Sequence, residues 1–73
     1  AYSLAGRERV VIAVYDARGA RVRTLVDKMQ EPSRYVVTWD GRNDAGKALT
    51  SGVYFIRYQA GTYSFTKKAV LLR

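Results

Sequence analysis

Apolar and polar residues alternate with a period of two along most of this chain, and no stretch carries the spacing of an amphipathic helix. The clearest segment runs from Arg9 to Tyr15, with Val10, Ile12 and Val14 on one face and Val11, Ala13 and Tyr15 on the other. Apolar residues on both faces predict a central strand. Asp16-Ala17-Arg18-Gly19 places Asp first and Gly last, as a type I turn prefers. Ala20 to Val26 then returns as a strand, so the first strong feature is a hairpin. Asp27 to Ser33 is polar, holds the only proline, and predicts a loop crossing between sheets. Arg34 to Trp39 sets Tyr35, Val37 and Trp39 against Arg34, Val36 and Thr38, the pattern of a half-buried strand.

The rest of the chain continues in the same way. A polar loop from Asp40 to Gly46 leads through Lys47–Leu49 to a corner at Ser51-Gly52. Gly41, Gly46 and Gly52 suit the positive-φ positions of tight corners. Val53 to Gln59 is a strand with Tyr54, Ile56 and Tyr58 on one face, Ala60-Gly61 is a short turn, and Tyr63 to Leu72 is a long closing strand. At the other end, Tyr2-Ser3-Leu4 reads as the tail of a first strand and Ala5 to Glu8 as a turn. Six to seven mainly antiparallel strands between turn signals predict an all-β fold, an immunoglobulin-like β-sandwich or a small barrel. No linker divides the chain, so residues 1–73 form a single domain.

Composition narrows the chemistry. The 73 residues contain no Cys and no His, so disulfides and His/Cys metal sites are excluded, and familiar nucleophile–base pairs are missing. The acids sit mainly in turns and offer no paired arrangement for acid–base work. The expectation is a non-enzyme without a cofactor. Asp40, Asn43 and Asp44 hint at a calcium loop, but the spacing is wrong and Arg42 adds a positive charge to the same loop. Net charge is +7, with the 13 Lys and Arg scattered and dense only at Arg18-Arg21-Arg23 and Lys67-Lys68. Scattered cations on strands keep a β-protein soluble. Nucleic-acid binding needs basic residues interleaved with exposed rings; Arg57, Tyr58 and Tyr63 come nearest, and Tyr58 shares the inward alternation of Tyr54 and Ile56. An anionic cell-surface polysaccharide is the more natural partner, since long-range attraction needs only net charge. No run approaches the length of apolar residues that a membrane helix requires.

One arrangement of motifs resembles a known family. Val14-Tyr15-Asp16-x-x-Gly19, Thr38-Trp39-Asp40-Gly41-Arg42, Asp44-x-Gly46, Ser51-Gly52-Val53-Tyr54-Phe55 and Thr66-Lys67-Lys68-x-Val70-Leu71-Leu72-Arg73 occur in this order. Together they resemble the C-terminal immunoglobulin-like sorting domain of type IX (Por) secreted bacterial proteins, a relative of the immunoglobulin-like domain of the flagellar hook-capping protein. The resemblance covers about residues 2–73. The chain departs from the pattern at Leu4-Ala5, where the family carries Leu-Pro, near Ser33, where it carries Gly, and ahead of Tyr2, where it carries an Asn-Pro segment.

The resemblance implies a non-catalytic sorting or anchoring module at the C-terminal end of a longer, secreted cell-surface protein, recognised by outer-membrane secretion machinery. The start at Ala1 rather than Met fits such a piece. Its recognised region maps onto Gly52, Tyr54, Lys68 and Arg73, although Gly52 and Tyr54 equally suit a corner and a core. The alternative is a subunit of an extracellular filament, in which copies pair strands or donate them to a neighbour's open edge. A carbohydrate-binding module ranks last, because the alternation turns most rings inward.

Overall fold

A computed structural model describes residues 2–72 of the chain. Six strands follow one another: β1 (Tyr2–Ser3), β2 (Glu8–Tyr15), β3 (Arg21–Gln30), β4 (Arg34–Tyr35), β5 (Gly52–Ala60) and β6 (Tyr63–Leu71). They form two antiparallel sheets, a four-stranded one ordered β3-β2-β5-β6 and a two-stranded one pairing β1 with β4. The fold is all-β. The strand with apolar residues on both faces, β2, lies between two neighbours as its pattern requires.

Cross-strand pairing decides which side chains share a face. Val10, Ile12 and Val14 pair with Ala60, Tyr58 and Ile56, and Tyr58 and Tyr54 pair in turn with Phe65 and Ala69. This inner face holds the core. Val10, Ile12 and Val14 are almost wholly buried and Tyr54 is 6% exposed. The small sheet and the chain from Val36 to Thr50 lie over it, Tyr2 meeting Tyr58 edge-on and Trp39 meeting Tyr54 edge-on at 5.2 Å.

Turn chemistry follows the residues. Asp16 accepts hydrogen bonds from the Arg18 and Ala20 N–H groups while the Gly19 N–H closes back on the Asp16 carbonyl. The β5–β6 hairpin turns on Gly61 at φ +58, the first central position of a type II′ turn, where a side chain is strained.

Three expectations need correction. β3 does not stop at Val26 but runs on through Asp27 to Gln30, paired with Val11 to Glu8. Pairing across the hairpin overrides the polar composition there, and Arg9 reaches Asp27 at 2.6 Å. Secondly, the Arg34–Trp39 strand is paired only at Arg34–Tyr35. Its alternation survives all the same: Tyr35, Val37 and Trp39 are half-buried while Val36 and Thr38 are exposed. Thirdly, Gly41 (φ +77) and Gly46 (φ +82) take positive φ but Gly52 does not; it opens β5 as ordinary strand.

Candidate functional site

Three of the residues singled out from the sequence, Gly52, Tyr54 and Lys68, lie along one end of the large sheet. Gly52 pairs with Leu71 and Tyr54 with Ala69, and Lys68 faces Phe55 across the same hairpin. Gly52 is exposed, and a Cβ built there would meet nothing within 4 Å. Tyr54 is different. Its ring is inside the fold, and its hydroxyl donates a 2.7 Å hydrogen bond to the Thr50 carbonyl four residues back. Sandwich folds use such a tyrosine to pin the corner where a loop enters a strand. Lys68 and Lys67 are exposed, and among the described residues neither forms an ion pair. Arg73 lies outside the described residues.

The loop after Trp39 is held by its own acids rather than left open for a cation. One irregularity in the β2–β3 register, between Ile12 and Ala13, brings Arg23 opposite Val14 on the inner face. From there its guanidinium donates to the Asp40 carboxylate and the Arg42 carbonyl, each at 3.0 Å. Asp40 also accepts from the Arg42 N–H, and Asp44 from the Thr24 N–H while its own N–H reaches the Val22 carbonyl. Asn43 accepts from the Ala45 and Lys47 N–H groups. Burial pushes the Asp40 carboxyl up, but the Arg42 N–H and the charges of Arg23 and Arg42 outweigh it, and its pKa falls below the usual carboxylate value. Among the described residues no group of three acids is placed to hold a metal ion.

A third feature was missed in the sequence. Between β1 and the β5–β6 hairpin lies a groove of about 260 Å³ whose lining includes Tyr2, Ser3, Leu4, Val10, Tyr58, Tyr63 and Phe65. Tyr58 and Phe65 stack at 4.6 Å, Tyr63 tilts against Phe65, and Tyr2 stacks on Tyr35 on the far side. Phe65 is 41% exposed and Tyr63 is 66% exposed. Alternation assigned Tyr58 to the inner face, but it carries no information on whether anything covers that face. The Tyr2 hydroxyl, bonded to Gln30 at 2.6 Å, has its pKa raised by burial.

Among curated proteins and among solved structures, none matches the chain. The model of the FlgD Ig-like domain family matches residues 4–64, a span that reaches from the end of β1 to the start of β6 and stops short of Lys68. With most of its length matched, the chain belongs to the FlgD Ig-like domain family.

Proposed function

We propose that this immunoglobulin-like domain is a non-catalytic sorting or anchoring module of a secreted bacterial surface protein, read as a folded surface by outer-membrane secretion machinery. The observation that carries the reading is β6. It is an edge strand whose residues from Tyr63 to Lys68 are all exposed, with Lys67 and Lys68 free of ion pairs among the described residues. An exposed strand offers a partner backbone groups along its edge and side chains at a fixed spacing. Uncompensated cations beside it steer anionic partners, an acidic protein face or an anionic cell-surface polysaccharide, toward this side of the molecule. Gly52 and Tyr54 serve the same surface from beneath by setting where β5 begins.

The test is a reporter enzyme fused ahead of this domain in a bacterium that has a type IX secretion system. Surface display of the reporter is the expected result, with a loss of display when Lys67 and Lys68 are both changed to Glu. Retention of a folded fusion inside the outer membrane overturns the proposal. Display unaffected by the double substitution removes β6 from it.

A filament subunit is the second reading, favoured by one observation. Val36, Val37 and Thr38 continue from β4 with alternating exposure yet make no backbone hydrogen bond among the described residues. Unpaired backbone in line with a strand is a template for a neighbour's strand. Sedimentation that rises with protein concentration, with fibres in electron micrographs, supports this reading; a monomer at every concentration rejects it.

A further inference from the structure

We propose that the groove between β1 and the β5–β6 hairpin is a strand-addition site for an extended, acidic-apolar segment of a partner polypeptide, a proposal that rests on the docking reading above and places its contact. Three features carry it. The first is backbone. The Leu4 N–H bonds the Ser33 carbonyl at 2.9 Å, and Tyr2 and Ser3 stand opposite Tyr35 and Arg34. In an antiparallel ladder bonded pairs alternate, so the Ser3 N–H and C=O point away from β4, on the side of β1 where the groove lies. A strand laid there gains two hydrogen bonds and sits above the inner face of β6.

The second feature is the floor. Phe65 and Tyr63 lie on that inner face at a spacing of two residues, matching alternate side chains of an added strand, and the small sheet leaves both exposed. The third is charge. Lys67 is the next residue on the same face, opposite Ile56 and without an ion pair among the described residues. On a chain of net charge +7 it favours a carboxylate in the partner.

The rings argue for a peptide over a sugar. Tyr58 and Phe65 are stacked face to face within 7° of parallel, and Tyr63 is inclined by 60° to Phe65. The stack uses up faces that a pyranose would need, and the tilt breaks any flat platform. Apolar side chains need only the ring edges and the gaps between them.

The experiment is a titration of the isotope-labelled 73-residue chain with a synthetic octapeptide that alternates valine with glutamate and threonine, followed by amide NMR and hydrogen exchange. Shifts are expected at Ser3, Tyr63 and Phe65, with exchange of the Ser3 amide slowed about tenfold or more at saturation. A peptide N-methylated at alternate residues keeps the side chains and loses the pairing, and its binding is expected to vanish. Tyr63→Ser, at a largely exposed position, is expected to weaken the octapeptide about tenfold while leaving the melting temperature in place. Three results overturn the proposal: equal binding of the N-methylated peptide, no shift at Ser3 with about 1 mM octapeptide, or groove shifts produced by a neutral or uronic-acid oligosaccharide and not by peptide. The titration uses the domain alone, so a failed sorting assay with peptide binding intact removes the sorting role and not this site.

Discussion

Tyr54 separates a structural from a recognition role more sharply than any other residue. Changing Tyr54 to Phe deletes only the hydroxyl that donates to the Thr50 carbonyl at 2.7 Å and leaves the ring against Trp39. A single intramolecular hydrogen bond contributes a net of about 1 kcal/mol. Thr50 is exposed, so water can replace part of the lost partner and the cost falls at or below that figure. For a domain of this size a loss of about 1 kcal/mol lowers Tm by roughly 4–8 °C, and with a urea slope near 1 kcal/mol per M it moves the midpoint by about 1 M. Tyr54→Ala also forfeits the buried ring, a cost of about 3–5 kcal/mol. Total stability for 73 residues is roughly 4–11 kcal/mol on the usual scale, so that loss takes about a quarter of it at the high end and all of it at the low end. The assay is urea denaturation followed by the fluorescence of Trp39, the only tryptophan. If Tyr54→Phe leaves the urea midpoint within about 0.2 M of the parent yet abolishes reporter display, the hydroxyl serves a partner and the corner argument is wrong.

Gly52→Ala is expected to be neutral or to stabilise by about 0.5 kcal/mol, because φ is ordinary there, the space is open and the unfolded chain loses freedom; a Tm drop of several degrees contradicts this. Arg23→Met removes the anchor that ties β3 to the Asp40 carboxylate and two loop carbonyls. It is expected to cost about 2 kcal/mol and to speed amide exchange from Arg42 to Lys47 before the rest of the sheet. Acidification is expected to destabilise. In Asp16 the Ala20 N–H, acting against burial and helped by Arg18, holds the carboxyl below its ordinary 3.8, and Asp40 is lowered as well. The folded state therefore binds fewer protons, and the stability is present above that value and lost as pH falls through the folded pKa values. Thermal melts from pH 7 downward read it, with Asp16→Asn expected to flatten the slope. At the alkaline end the sign reverses: the raised Tyr2 pKa gives stability that is lost as pH rises above 10.0.

Much of the fold was legible because its signals are local. The Asp16–Gly19 turn, the Asn43–Gly46 corner and the period of two along β2 and β5 each depend on neighbours within a few residues. What escaped depends on partners distant in sequence. Asp27 to Gln30 are strand only because Glu8 to Val11 lie beside them, and Val36 to Thr38 are not strand because no paired neighbour lies beside them among the described residues. For the site, the sequence placed Tyr54 beside the corner but could not separate a buried ring from a presented one. The groove was hidden for a related reason. Alternation says which face Tyr63 and Phe65 occupy, whereas exposure depends on how far a two-stranded cover extends over a four-stranded sheet.

That mismatch between cover and sheet also bears on how the domain meets other chains. An open edge strand with Phe65 and Val70 exposed is a liability for self-association. β6 answers it with cations on both faces, Lys67 on the inner side beside Phe65 and Lys68 on the outer side beside Val70. An antiparallel approach by the β6 of another copy brings these charges together, a repulsion of the kind that keeps natural edges apart. The same lysines attract an acidic segment. The two-stranded layer has a cation too, Arg34 of β4 opposite Ser3, but along Val36 to Thr38 the backbone makes no hydrogen bond among the described residues and no charged residue falls between Tyr35 and Asp40. Charge thus disfavours pairing between copies through β6 and leaves the uncharged run from Val36 to Thr38 more open to a strand from another chain. The filament reading accordingly runs through Val36 to Thr38 and not through β6.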